Sequence, residues 1–382
     1  MSAILIETQG KSRGDAMTHS RKSNSTRREF LAAASAGAVL GLAAPAIVTA
    51  KKTERQKTIV GQGEHQFEIH HDWAKLPEKY HWQTTHNVAL DRDGFLYVMH
   101  EGRVQESDHP SIFVFDPNGD FVRAFGNQFQ GGGHGIEVRE EDGDQYLYVC
   151  GYQQVKSFSK MDLKGNVVWQ RNAPMQSELY AKGEDAKPEK IWGRDRFMPT
   201  NFAFLPDGDF FLADGYGSFH IHRYNKDGEW LSCFGGPGDG KGKFNTPHGI
   251  WVDARDADDP KLVVTDRAHH TVQILSLDGE HLQTLEGFGL PANIDTLGDL
   301  MLVPELIARV SILGPDNQVV AHLGDDGQRI RNDEGFKIRG DEERWNAGKF
   351  VHPHDACFDP QGNIFVAEWV SSGRISKLSR LA

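Results

Sequence analysis

One pattern returns six times along this chain, and it limits the fold more than any other feature. Each copy opens with a histidine or small polar residue and an apolar pair. The openings lie at His86 (HNVAL), His134 (HGIEV), Thr200 (TNFAF), His248 (HGIWV), Ala292 (ANID) and His354 (HDACF). A second apolar segment follows in each copy, starting at Phe95, Tyr146, Phe210, Leu262, Leu300 and Ile364. Asp93-Gly94, Asp142-Gly143, Asp207-Gly208 and Gln361-Gly362 stand between the two segments, and such pairs mark tight hairpin turns. A third segment, a second turn such as Asn118-Gly119 or Asp227-Gly228, and a fourth segment ending near Phe125-Gly126 or Phe234-Gly235 complete the unit.

Four short antiparallel strands per repeat make one propeller blade. Six repeats therefore predict an all-β, six-bladed β-propeller over residues 84–382. The sixth copy ends after Arg374 (RISKL) without a fourth strand. The alternating segment at Gln66 (QFEIH), within an N-terminal segment spanning 51–83, is expected to supply it and close the ring, which removes an exposed sheet edge. Successive openings are 48, 66, 48, 44 and 62 residues apart. The two long intervals hold polar insertions near 170–196 and 324–349. Both are expected to be loops over one face of the disc, beside a binding site.

Residues 1–50 read as an address rather than as part of the propeller. Arg27-Arg28 precede Phe30-Leu31 and a small apolar run from Ala32 to Ile47, with small residues at Ala44-Pro45-Ala46 and Ala50. A charged region, an apolar region and a small-residue end make a secretory signal, and the paired arginines fit the twin-arginine (Tat) type. Export to the periplasm or outside the cell is expected. A retained N-terminal anchor is the alternative. Without residues 1–50 the chain keeps 36 basic and 51 acidic residues, so its net charge moves from −12 to −15. That balance argues against nucleic acid, and against membrane contact beyond the signal segment. The chain is expected to act as a monomer. Cys150, Cys233 and Cys357 are too few and too widely spaced for a disulfide framework, and are expected to be buried strand residues.

His134, His248 and His354 hold one repeat position in blades two, four and six. Alternate blades of a sixfold ring approach the axis from three directions, so three imidazoles there could bind one metal with an open position. His86 holds the same position in blade one. It favours the plainer reading, in which the repeat uses histidine to bond its own backbone.

These repeats resemble NHL repeats. The arrangement resembles the peptidyl-α-hydroxyglycine α-amidating lyase family, with matches at Gly133–Ile136, Pro247–Ile250 and Pro353–Asp355, at Pro199-Thr200, at Ala213–Tyr216 and at Thr265–Arg267. The resemblance covers about residues 84–380. It implies a zinc ion on His134, His248 and His354, a catalytic tyrosine at Tyr216 and a substrate-facing arginine at Arg267. It also implies a structural calcium held partly by Asp355. Structural roles compete with each of these: aromatic packing for Tyr216, a salt bridge between blades for Arg267, a turn hydrogen bond for Asp355. The pattern departs at Glu101, where the family carries arginine, and at His352, where it carries methionine. His86 does not match it. Three functions stand open: a zinc-dependent lyase-like enzyme acting on a small-molecule or peptide substrate, a non-enzymatic propeller that binds a peptide, glycan or partner protein, and a lactonase-like calcium hydrolase, which the histidines at the repeated position disfavour because calcium prefers oxygen ligands.

Overall fold

The computed structural model describes residues 57–381. The expected signal peptide lies outside them. Six antiparallel sheets account for nearly all the regular structure described, and the one α-helix among the described residues, Gly327–Arg331, is five residues long. Blades one to five each have four strands in simple up-and-down order. Their inner strands are Thr85–Leu90, Gly133–Glu141, Asn201–Phe204, Pro247–Asp253 and Asp295–Leu297. Blade six starts at Pro353–Phe358 and runs through Ile364–Glu368 to Arg374–Arg380.

The ring closes as the sequence predicts. His65–His70 pairs antiparallel with Arg374–Arg380, in the register Phe67 to Arg380 and His70 to Lys377. Phe67 and Ile69 then face a core shared with Leu302 and Ile312 of blade five and Val366 and Leu378 of blade six. A fifth strand, Ile59–Gln62, adds to the outer edge of that sheet and was not foreseen.

No single centre holds the molecule together. Apolar side chains of neighbouring blades interdigitate in six separate clusters, one at each blade–blade junction around the ring. A small seventh cluster, with Ala308, Ile330, Ile338, Val351 and Val370, lies under the second insertion. The repeat turns have one chemistry. Asp91, Asp116, Asp162, Asn225 and Asp359 each accept the N–H groups two and four residues on. Three residues on stands Gly94, Gly119, Gly165, Gly228 or Gly362, all at positive φ, a conformation that glycine adopts without a Cβ penalty.

These turns lie at one face of the disc. The connections from second to third strand, and from each blade to the next, lie at the other. Both insertions belong to that second set. Beyond Arg171, where the strand Val167–Arg171 ends, they hold no strand and contain short helical turns at Met175–Ser177, Lys337–Gly340 and Glu342–Arg344. The first is anchored by the buried pair Lys156–Glu184, which Arg196 joins at 3.2 Å. All three cysteines are free and on strands. Only Cys150 is buried; Cys233 and Cys357 are partly exposed.

Candidate metal centre

The first residue of each repeat contributes to one layer across the channel: His86, His134, Thr200, His248, Ala292 and His354. Acidic residues closing the second strands hold four of these in place, Glu305 doing so for Ala292 by accepting the Gly289 N–H. Asp214 accepts the N–H of Met198, Asp266 that of Asn245, and Glu368 that of Val351, so each loop leading into an inner strand is fixed. Glycine follows His134 and His248 for a steric reason. A Cβ at Gly135 would stand 2.5 Å from the Thr200 carbonyl oxygen, and one at Gly249 would stand 2.4 Å from Asn293 Cα.

The layer obeys a threefold rule. His134 Nδ1 donates to the carbonyl of Thr200 at 2.7 Å, His248 Nδ1 to that of Ala292 at 2.6 Å, and His354 Nδ1 to that of His86 at 3.0 Å. Each histidine of blades two, four and six thus bonds the layer residue of the next blade. A carbonyl only accepts, so each Nδ1 carries the proton and each Nε2 is left with a lone pair. Burial holds all three imidazoles well below their ordinary pKa, and hence neutral.

His134 Nε2 and His248 Nε2 face each other at 3.0 Å. Two lone pairs at that distance repel unless a cation lies against both. Nitrogens sharing a tetrahedral metal at bonds of ~2.0–2.1 Å would be ~3.3 Å apart. His354 Nε2 is buried with no partner among the described residues, and its ring centroid is 4.8 Å from that of His248. The donor set is three neutral imidazoles with inward Nε2 atoms, one of them unsatisfied, and this type of donor suits a divalent transition metal.

His86 joins the cluster. Its ligand atom and those of His134 and His354 all lie within 4.8 Å of one another, and its ring centroid is 4.5 Å from that of His354. Sequence reasoning set it apart from the other three.

Tyr216 and Arg267 sit at the rim of this cluster. The Tyr216 hydroxyl donates to His248 Nε2 at 3.0 Å and accepts from Arg267 Nη1 at 2.8 Å. Burial raises the Tyr216 pKa, against the pull of the Arg267 charge. Arg267 is buried, has no carboxylate within salt-bridge distance among the described residues, and leaves Nε and Nη2 unsatisfied. Four further residues line the mouth. Tyr152 lies 5.1 Å from His134 and 5.0 Å from Tyr216 between ring centroids, and Trp192 lies 5.5 Å from Tyr216. Arg339 stacks 3.7 Å from the Trp369 ring and donates to Thr84 Oγ1. Glu101 accepts from Tyr152 at 2.9 Å and from Gln153 at 3.0 Å. Burial works to raise the Glu101 pKa, but the facing His86, Tyr152 and Arg339 keep it below the usual range. Tyr152 could have been found as the residue straight after a second strand, the place that Glu101 and Arg267 also hold. Trp192 and Arg339 belong to insertions without repeat register and carry no such signal.

Asp355 stands one layer further along the channel and is not in the imidazole group. Its Oδ2 accepts the Val88 N–H at 2.8 Å, and its Oδ1 accepts from Asn293 Nδ2 at 2.5 Å and from the Ala356 N–H at 2.8 Å. Burial pushes its pKa up to about 7. Its oxygens are thus occupied by N–H donors. Beyond it a cavity of about 140 Å³ is lined by Glu137, Asn293, Asp295, Asp355 and Trp251, among others.

Fold and site together define a six-bladed propeller with an axial imidazole cluster. NHL repeat-containing protein 3 of Homo sapiens is 28% identical over 220 residues, which is 55% of this chain and 57% of that protein. Its Mus musculus counterpart is 26% identical over 226 residues, 56% of this chain and 58% of that protein. The match therefore spans less than two thirds of the length of these relatives. No family model matches the chain. Among solved structures, a gluconolactonase from Xanthomonas campestris superposes with a TM-score of 0.52 at 13% identity, over 83% of this chain and 90% of its own. A protein of unknown function from Bacteroides thetaiotaomicron gives 0.54 at 12%, over 85% of this chain and 76% of its own. At these identities the likeness is one of fold.

Proposed function

We propose that the chain is an exported, metal-dependent propeller enzyme of the lyase type. It works on a small-molecule or peptide substrate at the histidine end of the channel. One observation carries the reading: the neutral imidazoles of His134, His248 and His354 turn their Nε2 atoms inward, His354 Nε2 has no partner among the described residues, and those of His134 and His248 are 3.0 Å apart. A divalent ion bound there, with zinc the first choice, would polarise a substrate oxygen and lower its pKa. Tyr216, a neutral phenol whose proton points at His248, is placed to exchange a proton beside that oxygen. The unsatisfied Nε and Nη2 of Arg267 suit a substrate carboxylate. Glu101 stands where the amidating lyases carry arginine. Its negative charge beside the site repels a second anionic group, so peptidyl-α-hydroxyglycine is expected to be turned over weakly.

Metal analysis of the mature protein tests the reading. About one zinc per chain is expected, lost in each of His134→Ala, His248→Ala and His354→Ala. A metal-free wild type that stays metal-free after incubation with zinc would leave the chain a non-enzymatic binding propeller.

A further inference from the structure

We infer that His86 is a fourth imidazole of the same metal centre, positioned by Glu101, so that this chain binds its ion through four histidines. The inference rests on the three-histidine reading above and adds a ligand to it.

The threefold rule shows why His86 stands out. The intervening blades supply the carbonyls that orient the other histidines, from Thr200, Ala292 and His86. Two of these three residues have side chains that cannot ligate through nitrogen. The third has an imidazole. Its carbonyl does the structural work for His354, and that work needs no particular side chain, as Ala292 shows. The His86 ring is 1% exposed, and neither of its nitrogens has a hydrogen-bond partner among the described residues. A buried imidazole used only as filler would leave two polar atoms unpaired, at a cost of about 1–3 kcal/mol each. Alanine would avoid that cost.

Position supports ligation. In a polyhedron with metal–nitrogen bonds of ~2.1 Å, nitrogen pairs lie between about 3 and 4.2 Å apart. The atoms offered by His86, His134 and His354 all lie within 4.8 Å of one another, so a small inward turn of the rings brings them into that range. The remaining neighbour supplies the outer contact. Glu101 Oε2 is 3.5 Å from His86 Nε2, too long for an ordinary hydrogen bond but close enough for electrostatic support. Tyr152 and Gln153 fix that carboxylate through its other oxygen. Carboxylates behind ligating histidines orient them and raise their basicity. Four nitrogens close a tetrahedron, so an ion that also takes substrate must accept five or six ligands. The class of ion therefore widens from zinc to iron, cobalt, nickel and copper.

Cobalt(II) titrated into metal-free mature protein tests this, because its visible absorption is strong in four-coordinate sites and weak in five- or six-coordinate ones. Wild type should bind one cobalt with a weak spectrum. His86→Ala should bind about 100-fold more weakly and gain the strong four-coordinate band of three histidines and one water. Glu101→Gln, which keeps His86, should lose about 10-fold in affinity. His86→Asn guards against a folding defect, and thermal melts of the metal-free forms confirm that each variant is folded. His86 variants with wild-type affinity and spectrum would overturn the fourth ligand and leave the other three. A wild type that binds no cobalt would overturn the three-histidine reading with it.

Discussion

The two ends of the channel are built by the same inner strands, yet burial has opposite consequences at each. At one end it keeps His134, His248 and His354 neutral, which leaves lone pairs exposed to one another. At the other it pushes Asp355 to about 7, Asp295 to about 6 and Glu137 well above its ordinary value. A neutral imidazole is ready for a metal, whereas a protonated carboxyl is not. Partners differ as well. Asp355 receives three N–H donors and Asp295 receives two, from Thr296 and Phe358, while the inward histidine nitrogens receive none from the backbone. Desolvation alone does not make a metal site; the histidine end differs in that the backbone leaves its inward acceptors without donors.

The largest effect that could break this contrast is stabilisation by metal. Zinc at about 1,000 times its dissociation constant should add about 4 kcal/mol to unfolding, since the folded chain alone presents the site. Chelation should remove that increment, and His248→Ala should abolish it. Denaturant titration with and without zinc measures it. A gain of the same size in His248→Ala would place the ion elsewhere.

Next in size is Asp355→Asn. Its amide nitrogen replaces one acceptor that now serves a backbone or amide donor, and an unsatisfied buried group costs about 2 kcal/mol. The zinc increment should survive. If that increment vanished together with the stability, the carboxyl end would belong to the metal site, as a shared calcium or zinc ligand.

Much of this contrast was legible in the sequence, for a definite reason. The inner-strand histidines recur in register, and a sixfold repeat converts register into direction toward the axis. The turns were legible because Asp-Gly, Asn-Gly and related pairs between apolar segments are a local signal. The closing strand was legible from alternation in residues 66–70 and the missing strand after Arg374. The role of His86 was not, because the same motif marks both kinds of layer position. What separates them is whose Nδ1 borrows whose carbonyl, a relation through space across a blade boundary. Arg339 and Trp192 were hidden for another reason: insertions carry no register, and only their anchors, such as the Lys156–Glu184 pair, decide where they reach. Ile59–Gln62 is short and flanks a loop at Gly63-Glu64, so its pairing is invisible until His65–His70 is in place.

His222 supplies a control within the same molecule, and the smallest of the expected effects. It is buried and neutral like the axial histidines, but fully partnered. Trp230 Nε1 donates to its Nδ1 at 3.1 Å, so Nε2 carries the proton and donates to the Tyr180 hydroxyl at 2.7 Å, which donates to Asp214 at 2.8 Å. Burial lowers its pKa to about 3, from about 6.5 in the unfolded chain. The sign follows. Above about pH 6.5 neither state is protonated there and His222 adds no pH dependence. As pH falls below that, the unfolded chain takes up a proton that the folded chain refuses, so stability drops by about 1.4 kcal/mol per pH unit until about pH 3. His222→Asn should therefore unfold more easily at pH 7, yet lose that share of the acid slope between pH 6.5 and 5. Urea titrations of both proteins over this window give the difference, in which the other acid-sensitive groups cancel. Zinc should leave it unchanged, because both nitrogens of His222 are already in use. Parallel slopes for the two proteins would mean that His222 takes up its proton within the fold, and the distinction between partnered and unpartnered buried histidines would lose its energetic basis.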